Sequence, residues 1–222
     1  MWAEFDFDML CAKLKERDNF SLSRWGDGEW SCVLGRDGRN CDDHPYAKDL
    51  SLALATVLLQ DQRYYMGMQS KAMRDMGDEI TRWVRHHGVQ IEWCDADIIH
   101  DASIADRLDE MYDAMSARKK ILVGPSILEP MATKLRAHHV VTPIRNVWKW
   151  TFPTIYTDAT EQLDKDCVVL YCCSMATEVM IDKVNREYGD TVTQIDIGSA
   201  FDPYCNVRSR RYHQQIIERI SR

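Results

Sequence analysis

Two carboxylates lie two residues apart beside glycines in the segment Arg-Trp-Gly-Asp-Gly-Glu near the start of the chain. They belong to Asp27 and Glu29, and Gly26 and Gly28 permit the backbone angles and close ligand approach that larger residues prevent. Two hard oxygen ligands suit Mg²⁺ or Mn²⁺ that also contacts phosphate oxygens. Arg24 could add charge for phosphates or brace the carboxylates. By spacing alone, the segment also fits a surface turn with Glu29 in the first turn of a helix.

Small residues end three of the predicted strands. Gly-Pro-Ser ends at Ser126, Cys-Ser ends at Ser174, and Gly198 and Ser199 follow an Ile-Asp-Ile stretch. Each turn could present backbone N–H groups and a helix N-terminus to phosphate, or could be an ordinary tight connection. Asp196 alternates with apolar neighbours on its strand, so its side chain could point at the same ligand.

The hydrophobic pattern alternates short apolar runs with longer amphipathic ones. It predicts an α/β protein with a Rossmann-like, mostly parallel sheet and helices on both faces. With 222 residues and no linker-like segment, the chain is expected to form a single domain over residues 1–222. The predicted helices are 3–17, 26–34, 45–59, 71–87, 103–115, one that follows the turn at 124–126, 175–187 and 208–220. The predicted strands are 19–25, 64–68, 89–93, 120–123, 168–173 and 191–197.

A polar loop before the third predicted helix contains Asp42, Asp43 and His44. A carboxylate or an imidazole suits a general base that takes the proton of an acceptor hydroxyl, and Asp43 and His44 are the candidates. The alternative is a solvated loop whose Asp caps the following helix. Lys71, at the start of a helix beyond a strand, could meet phosphate or lie on the surface.

A basic cluster near the C-terminus stands out in an acidic chain of net charge −7. Arg208 and Arg211, with Arg210 between them, could bind a diphosphate or an anionic acceptor, or could simply lie on a terminal helix. Asp202 precedes a proline, where a turn is common. An acidic chain is a poor candidate for coating nucleic acid through charge alone.

Membrane insertion is not expected, because no apolar stretch approaches the length that spans a bilayer. The N-terminal residues lack the basic start and apolar run of a signal peptide, so a cytoplasmic location is the expectation. Walker-type and dinucleotide-binding glycine motifs do not occur in the sequence, which argues against kinases and dehydrogenases.

The segment 23–29, the apolar stretch ending at Gly35 and a helix after Pro45 resemble the opening of the GT-D glycosyltransferase family. The later stretch 195–204 resembles the Asp-Ile-Gly segment of that family. Its Asp-Pro-Tyr, followed by Arg-x-Arg-Arg-Tyr-His, is similar to versions of the family found in bacteriophages. The loop 40–44 departs from many relatives, which leaves the acceptor side open.

The resemblance implies a metal-dependent glycosyltransferase, in which an Asp-x-Glu motif at Asp27 and Glu29 acts through Mn²⁺ or Mg²⁺ on the diphosphate of a UDP-sugar. The acceptor would be a hydroxyl, either of a hydroxymethylated base in phage DNA or of a glycan, and a phage protein would act in the host cytoplasm. A metal-dependent phosphohydrolase acting on nucleotide-sugars and a non-catalytic nucleotide-binding protein are the alternatives. The oligomeric state, including a homo-oligomer, stays open.

Overall fold

A computed structural model describes residues 3–221. Within that range the chain forms one sheet of seven strands and ten α-helices. The strands are β1 (Ser21–Trp25), β2 (Tyr65–Met68), β3 (Trp93–Asp95), β4 (Lys120–Pro125), β5 (His138–Thr142), β6 (Val168–Tyr171) and β7 (Thr193–Asp196). The helices are α1 (Phe7–Glu16), α2 (Asp27–Val33), α3 (Lys48–Leu59), α4 (Ser70–His86), α5 (Ile98–Ile104), α6 (Leu108–Ala114), α7 (Glu129–Leu135), α8 (Phe152–Thr160), α9 (Ala176–Tyr188) and α10 (His213–Ile220).

All seven strands are parallel, in the order β3-β2-β1-β7-β6-β4-β5. The first strand of the chain therefore lies inside the sheet, between β2 and the last strand, β7. From β1 the chain runs outward through β2 to β3, crosses to β4 and β5 at the other edge, and returns inward through β6 to β7. The connections therefore leave the neighbouring strands β6 and β4 in opposite directions. In open parallel sheets, ligands bind at such a reversal, beyond the carboxyl ends of the strands.

Helices cover both faces of the sheet, as the sequence predicts. On one face α2, α3, α4, α8 and α9 pack around the fully buried Trp25, Trp30 and Tyr171. On the other face α1, α5, α6 and α7 pack around residues that include Leu22, Leu122 and Leu170. Both faces of the central strands are buried, which explains why those strands read as continuous apolar runs.

Several predicted elements were placed wrongly. The helix predicted over 103–115 is two short helices, α5 and α6, because Asp106 between them adopts a left-handed conformation with φ of 62°. Ser103, the first residue of that predicted helix, is instead buried inside α5. The helix predicted from Pro45 begins at Lys48, and the one predicted from Arg208 begins at His213. The strand predicted over 89–93 forms at Trp93–Asp95 instead.

Two elements were not predicted at all, namely the edge strand β5 and helix α8. The sheet is also entirely, not mostly, parallel. Among residues 3–221, none of the helices combines the length and the apolar character needed to cross a membrane.

Candidate active site

A cleft of about 540 Å³ lies along the carboxyl edge of the sheet, where loops from most of the strands meet. The sequence-predicted residues that line it are Arg24, Asp27, Gly28, Glu29, His44, Ser174, Asp196, Gly198, Ser199 and Asp202. Those that do not line it are Gly26, Asp43, Ser126, Arg208 and Arg211. The cleft thus collects residues that are far apart in sequence but follow neighbouring strands.

The Gly-Asp-Gly-Glu turn joins β1 to α2 at the centre of this edge. Gly26 is the N-cap of α2, and its N–H donates to Oε2 of Glu29 at 2.9 Å, as in a capping box. Gly28 packs so closely that a Cβ there would lie 2.9 Å from the Asn40 side chain. Gly26 is therefore part of the turn but does not line the cleft. The absence of a Cβ lets the Gln69 side chain pack against Gly26 and the Asn40 side chain pack against Gly28.

Lys71, at the start of α4, lies against Asp27. Its Nζ is 2.5 Å from Oδ2 of Asp27 and 2.9 Å from Oδ2 of Asp75, one helical turn further along α4. The hydrogen bond to Asp27 is the main reason that the pKa of Lys71 is raised. Lys71 is exposed, as the surface interpretation predicts, and it also lines the cleft.

Glu29 and Asp196 line the cleft, and the fully buried Glu178 lies close enough for their charges to act on it. Burial raises the pKa of Glu29 to about 7, and the charges of Asp196 and Asp27 add to that effect. Burial also raises the pKa of Glu178, well above its usual range, and neither of its carboxyl oxygens has a hydrogen-bond partner among the described residues. Asp196 accepts from the Gly198 N–H at 2.8 Å, and its pKa is raised by burial. Carboxyls crowded together away from water resist ionisation, which is common at functional sites.

Arg24 is a buried cation at the base of the cleft, where its hydrogen bonds hold neighbouring segments together. Its Nε donates to the Ala96 carbonyl at 2.9 Å, and an Nη contacts Nδ1 of His100 at 3.0 Å. Burial lowers the pKa of His100 well below its usual range, so the ring is neutral and can accept from the guanidinium. Gly198, with φ of 57°, is needed above Arg24 because a Cβ there would lie 2.2 Å from Nη1. The geometry supports the bracing role of Arg24 over direct phosphate contact.

The loop before α3 places its acidic residues differently from the prediction. Asp43, in a left-handed conformation with φ of 70°, turns out of the cleft to pair with Arg39 and with Arg145 at 3.1 Å. Its neighbour Asp42 lines the cleft instead. The prediction of Asp43 as general base is therefore not supported, because its carboxylate faces two arginines and not a substrate.

His44 is also a poor base in this arrangement. It is buried, and its Nε2 accepts from the Val147 N–H at 3.0 Å. A backbone N–H only donates, so the lone pair of Nε2 is occupied and the ring proton sits on Nδ1. Nδ1 lies 3.2 Å from Oδ1 of Asp42, close enough for electrostatic attraction though not aligned as a hydrogen bond. His44 therefore ties the loop to the chain near Val147 and has no free nitrogen for a substrate proton.

The C-terminal segment forms one end of the cleft. Asp202 accepts from the Ser209 hydroxyl, and burial raises the pKa of Asp202. Arg210 and Tyr212 line the cleft, whereas Arg208 and Arg211 are exposed outside it. The basic cluster was thus located correctly as a segment, but the arginine that reaches the cleft is Arg210.

The three predicted turns behave differently from one another. Ser174 adopts a left-handed conformation with φ of 55° in the cleft, and its hydroxyl accepts from Nδ2 of Asn40 at 3.2 Å. Gly198 and Ser199 also line the cleft, but Ser126 is exposed outside it, and its neighbours Pro125 and Ile127 line the wall instead. A phosphate role for Ser126 is therefore not supported.

The donor set at Asp27 and Glu29 fits a divalent cation shared with a ligand. No group of three or more His, Cys, Asp or Glu side chains poised for a metal occurs within residues 3–221. Mg²⁺ commonly takes one or two carboxylates and fills its other positions with water and phosphate. One oxygen of each carboxylate is engaged, by Lys71 and by Gly26, so Oδ1 of Asp27 and Oε1 of Glu29 are the oxygens left to coordinate a cation.

Solved structures share this architecture over nearly the whole chain. A glycosyltransferase (DUF1792) from Streptococcus sanguinis superposes with a TM-score of 0.69 at 14% identity, covering 92% of this chain and 84% of its own. A second structure, described as showing that the conserved domain of unknown function 1792 has a distinct glycosyltransferase fold, matches with a TM-score of 0.64 at 14% identity, over 90% of this chain and 79% of its own. This chain has the DUF1792 glycosyltransferase fold. That result confirms the fold expected from the GT-D resemblance.

The comparison with DUF1792 concerns the fold, because identity is only 14%. No family model and no curated protein matches this sequence. Within the DUF1792 fold, the roles of individual residues have to be argued from the geometry of the cleft.

Proposed function

We propose that this chain is a glycosyltransferase that moves a sugar from a UDP-sugar to a neutral hydroxyl acceptor, with Mn²⁺ or Mg²⁺ at Asp27 and Glu29. The observation that carries the proposal is the position of these two carboxylates. They face a cleft at the carboxyl edge of a sheet with the DUF1792 glycosyltransferase fold. A divalent cation, when bound there, neutralises charge on the departing diphosphate.

The residues around the pair fit the donor half of such a site. Lys71 on one side and Arg210 on the other provide positive charge for a diphosphate. Ser174, Gly198 and Ser199 border the same space, where hydroxyl and backbone groups can donate to phosphate oxygens. The hydrogen bonds of Arg24 with the Ala96 carbonyl and His100 hold the base of the cleft in place, so that the groups lining it need little rearrangement when the donor binds.

The general base is proposed among the cleft carboxylates, since Asp43 and His44 are otherwise engaged. Asp202 lines the cleft and its pKa is raised by burial, whereas that of Asp42 is lowered because contacts with His44 and Ser174 outweigh the effect of its burial. A higher pKa makes a carboxylate a stronger base near neutral pH. Asp202 is therefore the better candidate to take the acceptor proton.

The charge of the cleft favours a neutral acceptor, such as a glycan, over DNA. Six acidic side chains line it (Asp27, Glu29, Asp42, Asp97, Asp196 and Asp202), against three basic ones (Arg24, Lys71 and Arg210). Exposed arginines of the C-terminal cluster face away, and phosphate contacts are what hold proteins on DNA. The wall beyond β4 and β5 is apolar, with Ile127, Pro143 and Ile144 on it, which suits the apolar face of a sugar ring.

The test compares the wild type with the double variant Asp27→Asn and Glu29→Gln. A thermal-shift panel of nucleotide-sugars with Mn²⁺ or Mg²⁺ first identifies the donor, since a bound ligand raises the melting temperature. Turnover of that donor is then measured with glycan acceptors, with DNA containing 5-hydroxymethylpyrimidines and without acceptor. We expect transfer to a glycan that the double variant loses while remaining folded by circular dichroism.

Four results would contradict parts of this proposal. Full activity in the double variant removes the role of the two carboxylates. Labelling of the DNA but not of the glycans reverses the acceptor assignment. Hydrolysis at one rate with and without acceptors indicates a phosphohydrolase, and UDP binding without any turnover indicates a binding protein.

A further inference from the structure

The ammonium of Lys71 occupies a position at Asp27 where a divalent cation would compete with it. It lies 2.5 Å from Oδ2 of Asp27, on the carboxylate that faces the cleft. Without another cation, Asp27 stands beside Glu29 and needs a counter-charge, which Lys71 supplies. A metal ion that bound the Asp27 carboxylate would therefore be repelled by the Lys71 ammonium, which already contacts that carboxylate.

Asp75 offers the ammonium a second partner in the same place. Its Oδ2 is 2.9 Å from Nζ of Lys71, and it lies one turn along the same helix, outside the lining of the cleft. A lysine is a compact charge on a flexible stem, so it can shift between two carboxylates at little cost. Arg24 cannot act in this way, because the Ala96 carbonyl and His100 hold it.

We propose that Lys71 is an exchangeable counter-cation of Asp27, which moves fully onto Asp75 when a divalent cation binds. The inference rests on the metal part of the proposed function. Because the ammonium leaves Asp27 but stays paired, the cost of loading the metal is reduced without removing positive charge from the donor end of the cleft. Lys71 therefore sets how tightly the empty protein binds the metal, and Asp75 lowers the cost of the exchange.

The experiment measures Mn²⁺ affinity without any nucleotide, by the electron paramagnetic resonance signal of free Mn²⁺. The variants are Lys71→Gln, Asp75→Asn and the double variant. Lys71, Asp27 and Asp75 are about half exposed, so these substitutions leave the fold intact. Lys119→Gln is the matched control, because it also removes a lysine from an exposed ion pair, with Asp164, outside the cleft.

We expect Lys71→Gln to bind Mn²⁺ roughly two- to fivefold more tightly than the wild type, the range that an exposed ion pair is worth. Asp75→Asn should weaken binding by a similar factor, since the ammonium then remains on Asp27. In the Lys71→Gln background, Asp75→Asn should have no effect, because Asp75 acts only through Lys71. Lys119→Gln should bind as the wild type does.

Unchanged affinity in Lys71→Gln overturns the inference while leaving the metal site in place. An equal tightening in Lys119→Gln also overturns it, because net charge would then explain the effect. If Asp75→Asn weakens binding equally with and without Lys71, Asp75 acts through its own charge and the exchange is wrong. If neither the wild type nor Lys71→Gln binds Mn²⁺, the inference fails together with the metal part of the proposed function.

Discussion

Glu29 is expected to reduce the stability of the protein at the pH where it functions, so Glu29→Gln should stabilise the fold. The amide oxygen of Gln can accept from the Gly26 N–H as the carboxylate does, so the cap of α2 is kept. Burial raises the pKa of Glu29 from 4.5 to about 7 in the folded protein. The folded state thus binds the carboxyl proton of Glu29 more tightly than the unfolded state does. The contribution of this proton to the free energy of unfolding is complete below pH 4.5 and is lost as the pH rises through 7.

The difference between those two pKa values corresponds to a loss of at most about 3 kcal/mol in the free energy of unfolding of the wild type at pH 8. Because the carboxyl faces an open cleft, we expect about half of this, which raises the melting temperature of a chain this long by roughly 3–6 °C. The assay is thermal unfolding without divalent cations, at pH 8 and at pH 5, where most of the difference should disappear. Added Mn²⁺ should stabilise the wild type and not the variant.

Glu110→Gln is the control, since Glu110 is exposed and its hydrogen bonds with Arg107 lower its pKa. That substitution should not raise the melting temperature at pH 8. A Glu29→Gln protein that melts at or below the wild-type temperature at pH 8 would refute the reasoning. So would an equal stabilisation at both pH values, because it would show that the charge of Glu29 is not the cause.

Two further predictions concern the floor of the cleft. Gly198→Ala should lower the free energy of unfolding by about 2 kcal/mol or more, because it adds a clash with Arg24 to the strain of a left-handed residue. The control is Gly88→Ala, where φ is 65° but no atom lies near the added Cβ, and it should cost only about 1 kcal/mol. Urea titration measures both, and equal costs would show that Arg24 is not fixed. Glu178→Gln should leave stability at pH 7 within about 1 kcal/mol, since burial raises the pKa of Glu178 well above its usual range and so favours the neutral carboxyl. Glu178→Ala should cost roughly 2–3 kcal/mol through the cavity it leaves. If Gln costs as much as Ala in thermal unfolding, Glu178 is charged in the folded protein.

The central strands and the Gly-Asp-Gly-Glu turn could be predicted because their signals are local. A strand buried on both faces reads as an apolar run, and β4 and β6 were found in that way. The edge strand β5 was missed because only Val140 and Thr142 of its five residues are buried. Its paired histidines read instead as surface residues near helix ends. The break between α5 and α6 depends on one left-handed Asp106, which no periodicity reveals.

The residues predicted for the centre of the site line the cleft, whereas several predicted for its borders do not, for a similar reason. Asp27 and Glu29 share one turn, so their neighbourhood is visible in the sequence. Asp42 and Asp43 are adjacent and chemically alike, and only the backbone angle of Asp43 decides that Asp42 faces the cleft. His100 comes to the site through the packing of α5, which depends on the whole fold.

The pairing of the first and last strands has a consequence for how the protein is made. β1 joins β7 through Ser21 and Gln194, whose side chains bond across 173 residues. A chain emerging from the ribosome can form β1 and β2 early, but β1 keeps one unpaired edge until β7 has been translated. Contacts of such long separation form slowly, and open strand edges invite pairing with other chains. The cleft is therefore completed last, and the newly made protein is most exposed to aggregation at the edge that later carries the active centre.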